Sequence, residues 1–331
     1  MTTIYFSKMN LNSHIFDVYE SKKKRDKLNE ILKDIYTNIR DGASYEDEII
    51  GYDKEGNTYE QTITYKLVQL DSMVIKDSLS IVGRMVKNSE IITKKLEENG
   101  VISKIPVNND EVIEFFFDIE KEILAYNRTN RFGHKDINDA FEKILNKIFK
   151  EKIVNNPENE MPYYVLFENI REGISIENLK KELKALGKIT ELTLEIIPPN
   201  PDGDLLDDMD ETLESYLEHL KEAKITHRKL TLTSRDAAGL QIEDEVVNNE
   251  IEKIGNIHSK LSSEDAIENG YVSVQASSQN GLSFSTRKSK VRTAIIDEST
   301  NLSEFANKCK SKIQTLRLKI KSKKGNNEKE K

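Results

Sequence analysis

Glu111-Val112-Ile113-Glu114-Phe115-Phe116-Phe117-Asp118, followed three residues later by Glu122-Ile123-Leu124-Ala125-Tyr126, is the stretch that decides the fold class. The first run is apolar enough for a central strand, since buried strands read as near-continuous hydrophobic segments. The short gap between the runs makes them an antiparallel hairpin. Just beyond, Ile137, Phe141, Ile144, Leu145 and Ile148 recur at helical spacing and predict an amphipathic helix over 136–151. Strand, hairpin and helix in succession point away from a strict βαβ repeat.

Outward toward the N-terminus, Ile4–Leu11 reads as a first strand. A helix over roughly 20–40 follows, carried by Leu28, Ile31, Leu32, Ile35, Tyr36 and Ile39, with Lys22, Lys23, Lys24 and Arg25 crowding its start. Glu48–Tyr52 and Thr58–Leu70, joined by Asp53-Lys54-Glu55-Gly56-Asn57, predict a second hairpin. Leu79–Met85 reads as a strand, and a short helix near 89–98 is expected to stop at Asn99-Gly100.

Toward the C-terminus, Asn155-Asn156-Pro157-Glu158-Asn159-Glu160 is a candidate domain boundary. Tyr163–Phe167 is a strand, and Ser175 caps a helix with Leu179, Leu183 and Leu186 that Gly187 ends. Ile189–Ile197 is a strand cut off by Pro198-Pro199. A helix over Asp204–Ala223, a strand at Lys229–Thr233 and a helix over 243–254 come next. Tyr271–Ala276 and Leu282–Thr286 form a hairpin around Gln279-Asn280-Gly281, which Val291–Ile296 extends, and a last helix spans 301–323. The expected fold is α+β or mixed α/β, with two α/β subdomains containing antiparallel hairpins. The predicted domains are 1–155 and 156–300, with a C-terminal amphipathic basic helix and tail over 301–331.

Charge is distributed unevenly. The net charge is −8, yet residues 285–331 hold 14 Lys/Arg against 5 Asp/Glu, leaving 36 against 53 in the rest. Such asymmetry points to nucleic acid or an anionic surface. Leu302, Phe305, Ala306, Cys309, Ile313, Leu316 and Ile320 define one apolar helix face. The candidate nucleic-acid contacts are Arg287, Lys288, Lys290, Arg292, Lys308, Lys310, Lys312, Arg317, Lys319, Lys321, Lys323 and Lys324. Cations so grouped would track phosphates and release counterions. The competing reading is a docking helix with a lysine-rich solubilising tail.

Other chemistry is sparse. Asp202, Asp204, Asp207, Asp208, Asp210 and Glu211 lack the alternate spacing, central Gly and closing Glu of a calcium loop, and suit a helix N-terminus instead. Pro201-Asp202 and Glu222-Ala223-Lys224 superficially match a metal-dependent nuclease core, but Glu222 and Lys224 fall at the end of a predicted helix. The five histidines form no ligand pair, Cys309 reads as packing, and no Gly-rich loop has phosphate-binding spacing. No cofactor is expected. One cysteine, no apolar N-terminal stretch and no membrane-length apolar run predict a cytoplasmic protein.

Three segments carry a family resemblance. Thr58–Asp71 resembles the first-half hairpin of the RexA-type phage-exclusion proteins. Ile113–Phe132 is similar to their paired strands and short aromatic-containing loop before a helix. Leu230–Gly239 (Leu-Thr-Leu-Thr-Ser-Arg-Asp-Ala-Ala-Gly) is similar to a strand there that ends in an Asp-x-Ala-Gly turn. The lysine-rich last helix also has a counterpart, whereas Pro198-Pro199-Asn200-Pro201 and the long basic tail depart from the pattern. What the resemblance implies is a homodimeric DNA-binding protein of anti-phage (antiviral) defence, acting with a separate membrane-protein partner and carrying no active site. The expected function is accordingly a non-enzymatic nucleic-acid binder, with DNA preferred over RNA. The alternatives are a metal-dependent nuclease effector and a protein-interaction module with no nucleic-acid role.

Overall fold

The structure, a computed structural model, describes residues 1–52, 58–75, 78–96, 102–154, 162–197, 219–256 and 263–316. In chain order the elements are β1 (Thr2–Leu11), α1 (Ile15–Glu20), α2 (Lys24–Asn38), β2 (Ser44–Tyr52), β3 (Thr58–Ile75), β4 (Ser78–Leu96), β5 (Ile102–Asp118), β6 (Ile123–Tyr126), α3 (His134–Val154) and β7 (Val165–Asn169). There follow α4 (Ile176–Ala185), β8 (Ile189–Ile196), β9 (Arg228–Thr233), α5 (Glu245–Asn256), α6 (Ser263–Glu268), β10 (Val272–Ser278), β11 (Ser283–Ser285), β12 (Thr293–Ile296) and α7 (Leu302–Ile313). The fold is mixed α+β with antiparallel sheets.

The first unit comprises Met1–His14, Ser21–Phe167 and Thr293–Gln314. Its sheet runs β12-β1-β6-β5-β4-β3-β2, with β7 also pairing β1. The Phe115-Phe116-Phe117 run sits in the middle strands, as its apolarity predicts, and all three rings are buried. Phe115 meets Phe141 of α3 edge-on at 4.8 Å, and Phe117 meets Phe167 at 5.8 Å. Strand alternation therefore places Phe116 and Asp118 on the opposite face, where α7 packs. The helix expected near 89–98 is instead the far half of β4, paired through Leu96↔Ile102. Consecutive β-branched residues, Ile91-Ile92-Thr93, favour the extended chain, and the β5 ladder satisfies its backbone. The helix expected over roughly 20–40 is α2, continuous from Lys24 to Asn38 with Leu28, Ile31, Leu32 and Ile35 buried, and a separate short helix, α1, precedes it.

The second unit, Ile15–Glu20 with Glu168–Arg292, has a four-stranded antiparallel sheet in the order β11-β10-β8-β9. Leu179 and Leu183 of α4, Val247 and Ile251 of α5 and Ile267 of α6 join Leu192, Leu194 and Val274 in one buried cluster. Ser175 caps α4 by accepting from the Asn178 backbone N–H at 3.1 Å. The turn at Asp236–Gly239 closes over the start of β8. Asp236 Oδ1 accepts from the Ala238 N–H at 2.7 Å, and Gly239 has φ +75° where a Cβ would stand 2.8 Å from the Ile189 carbonyl. Only glycine suits that position.

Val291–Ile296 does not extend the last hairpin. The ladder stops at Ser285, where a 3₁₀ turn over Thr286–Lys288 redirects the chain. Residues Thr293–Ile296 then pair antiparallel with β1 in the first unit, from Tyr5↔Thr293 to Thr2↔Ile296. The C-terminal helix is likewise no appendage, because α7 packs on the first unit's sheet. It runs from the Asn301 cap to Ile313; the rest of the predicted 301–323 span is non-helical through residue 316 and lies outside the described residues from Arg317 on. The expected boundary at 155–160 and the acidic stretch at 202–211 also lie outside them, whereas the units divide between Phe167 and Glu168. Among the described residues, no helix is long and apolar enough to cross a membrane.

Candidate nucleic-acid interface

Most of the described C-terminal cations meet carboxylates of the chain itself. Arg287 spans two, reaching Glu168 at 2.9 Å and Glu195 at 3.0 Å. Lys290 pairs with Glu172, and Arg292 with Glu268 at 3.2 Å. Lys308 pairs with Glu304 at 2.7 Å and donates to the carbonyls of Asp297 and Glu298. Lys310 is 4% exposed and donates to Asp118 at 2.6 Å. Lys288 is exposed with no ion pair among the described residues, and Lys312 is half-buried in the last turn of α7. Arg317, Lys319, Lys321, Lys323 and Lys324 lie outside the described residues. The described part of this segment thus presents little free positive charge.

The apolar face of α7 explains the arrangement. Phe305, Ala306, Cys309 and Ile313 are buried, which brings Lys310 under the helix rather than onto its solvent side. Burial pushes the Cys309 thiol well above its ordinary pKa, and the charge of Glu114 adds to the shift, so it is a packing residue rather than a thiolate nucleophile. Around Arg287, Glu195 also accepts from His227 at 2.9 Å and from Ser273 at 3.2 Å. Burial holds the Glu168 carboxyl above its usual range, while Arg287 and Arg171 pull it back. Among the described residues, no group of three His, Cys, Asp or Glu side chains is placed to hold a metal ion.

Free cations cluster elsewhere, in the link between β6 and α3. Asn127 fixes the start of this loop: its N–H donates to the Glu114 carbonyl at 3.1 Å, and its side-chain oxygen accepts from the Glu114 N–H at 2.9 Å. Thr129 Oγ1 accepts from the Phe132 N–H at 3.1 Å, and Phe132 is fully buried against Tyr65. Lys87 anchors the far side by donating to the Arg131 carbonyl at 3.0 Å and pairing with Asp136. Arg128 and Arg131 stand exposed on this held loop and Lys135 on the first turn of α3, and none makes a contact ion pair among the described residues.

Nearby carboxylates temper the field without closing it. Hydrogen bonds from Thr129 and Asn109 hold Glu111 below the usual carboxylate range, with the charges of Arg131 and Lys87 adding to the effect. Burial raises Asp139, opposed by Lys135 and Lys143. Beside the cations lies an aromatic cluster. The Arg128 guanidinium sits 5.2 Å from the centre of the Tyr5 ring. Tyr5 meets His134 edge-on at 4.4 Å and lies nearly parallel to Tyr126 at 6.1 Å. The composition Asn127-Arg128-Thr129-Asn130-Arg131-Phe132-Gly133-His134-Lys135 was a local signal for this surface; the approach of Tyr5 was not.

Two antiparallel sheets with their helices define an α+β protein, in which the hydrogen-bonded link before α3 carries exposed cations. A family model described as a domain of unknown function (DUF4747) matches residues 2–314, so the chain belongs to that family. No curated protein and no solved structure matches it.

Proposed function

We propose that this protein binds nucleic acid through the β6–α3 loop and carries no catalytic step of its own. One observation carries the reading: Arg128 and Arg131 project from a loop whose backbone is hydrogen-bonded in place, Lys135 projects from the first turn of α3 beside them, and no carboxylate of the described chain pairs with any of the three at contact distance. Cations in that state exchange condensed counterions for protein contact when they meet phosphates, which gives affinity with little dependence on sequence. A loop held before binding also loses little conformational freedom on binding. The resemblance to RexA-type phage-exclusion proteins supports an anti-phage setting in the cytoplasm. It also supports DNA over RNA, a homodimer and a separate membrane-protein partner.

The double substitution Arg131→Ala/Lys135→Ala should lower the slope of log affinity against log salt by about 1.8 for duplex DNA, at roughly 0.9 for each phosphate no longer neutralised. Lys290→Ala, which removes a cation already paired with Glu172, should leave that slope unchanged. Fluorescence anisotropy across a salt series reads both variants. A double variant with the wild-type slope removes the assignment to this loop.

A further inference from the structure

We infer that the same loop takes unpaired bases, one of them stacking on the guanidinium of Arg128. The inference rests on the phosphate-binding reading above and names the form of nucleic acid that the site prefers. The Arg128 guanidinium lies over the Tyr5 ring, 5.2 Å from its centre, and Arg128 itself is exposed, so a base can reach it from solvent.

The support beneath it is built in layers. Tyr5 is half-buried in β1 and braced by His134 at 4.4 Å and by Tyr126 at 6.1 Å. Tyr126 is fully buried, its hydroxyl lies 3.0 Å from His134 Nδ1, and the Ser7 hydroxyl lies 3.4 Å from it. Ser7 in turn donates to Asn138 Oδ1 of α3 at 2.8 Å. A planar cation held over an aromatic ring offers a surface on which any base can stack. In a duplex both faces of each base are already occupied by neighbours, so this surface favours single strands. Arg131 and Lys135 then serve the phosphates on either side of the stacked base. Lysine in place of Arg128 keeps the charge and loses the plane.

The test titrates the full chain with a labelled oligothymidylate of about twelve nucleotides and with a matched duplex, at low salt. The single strand should bind about tenfold more tightly than the duplex, and Arg128→Lys should weaken the single strand about tenfold while leaving the duplex unchanged. Tyr5→Leu should reproduce the selective loss, with its melting curve checked against the parent. Equal weakening of both ligands by Arg128→Lys makes Arg128 a simple charge and overturns the stacking inference. Salt-dependent binding that is as tight to duplex as to single strand overturns it too, while leaving the phosphate reading in place. Absence of binding to both ligands overturns the two together.

Discussion

Replacing Lys310 by Met should destabilise the first unit by about 3–5 kcal/mol, the usual cost of removing one partner of a buried ion pair. Asp118 has no exposed surface, and its Oδ2 receives Lys310 Nζ at 2.6 Å. Its Oδ1 accepts from the Ser78 hydroxyl at 2.7 Å and from the Lys121 N–H at 3.3 Å. A methionine side chain has about the bulk of lysine but no donor, so Oδ2 would remain charged in a low-dielectric site with nothing described to meet it. Adding Asp118→Asn to Lys310→Met removes that charge and should recover a substantial part of the loss, since Asn keeps an acceptor for Ser78 and Lys121. Urea unfolding of the parent and the single and double variants gives the values. A loss under about 1 kcal/mol for Lys310→Met would mean that α7 is not tethered through this pair.

A second buried pair stands beside the same turn. Lys8 and Glu122 are 3% and 1% exposed, 3.2 Å apart, and Lys8 also donates to the Lys121 carbonyl. Glu122 adopts φ +55°, a left-handed conformation that a non-glycine residue holds only where its surroundings impose it. The β5–β6 turn is thus gripped by Lys8 from β1 and by Lys310 from α7. A helix that the charge count offers to solvent is, through residue 313, a structural strap. Of the two readings open for the basic segment, the docking helix is the one that the described residues display.

What was legible in the chain follows from the range of the forces involved. The first strand, the Phe115–Phe117 hairpin, the Ser175 cap and the strand Ile189–Ile196 all depend on residues a few positions apart, and their patterns locate them. The failures depend on distant partners. β4 continues past residue 89 because β5 lies beside it, and β12 leaves the last hairpin because β1 has a free edge. Charge failed in the same way. The carboxylates that neutralise Arg287, Lys290, Arg292 and Lys310 come from Glu168, Glu195, Glu172, Glu268 and Asp118, far away in sequence. A linear count of cations measures the surface only where folding brings no acid to them. In the β6–α3 loop the count of basic residues was visible, but the Tyr5 support beneath Arg128 depends on how β1 pairs with β6.

Arg287 provides the sharpest contrast between the two views of this segment. As a phosphate contact, its replacement would leave stability unchanged. As the cation shared by Glu168 and Glu195, its replacement by Met should cost the second unit about 2–3 kcal/mol near neutral pH, less than a fully buried pair because the side chain is 37% exposed and solvent screens it. The loss should also depend on pH. Burial already raises the folded Glu168 pKa above its ordinary 4.5, against the pull of Arg287 and Arg171. Without Arg287, both its charge and its hydrogen bond disappear, while burial and the charge of Glu195 remain, so the folded pKa rises further. A carboxyl with a raised folded pKa stabilises the fold fully below its unfolded value and loses that contribution as pH rises through the folded one. The gap between Arg287→Met and the parent should therefore be widest near about pH 8 and narrow toward about pH 5. Urea midpoints at the two pH values measure it. A variant as stable as the parent at both would mean that the two glutamates do not depend on Arg287, and would return that residue to the set of cations free for a ligand.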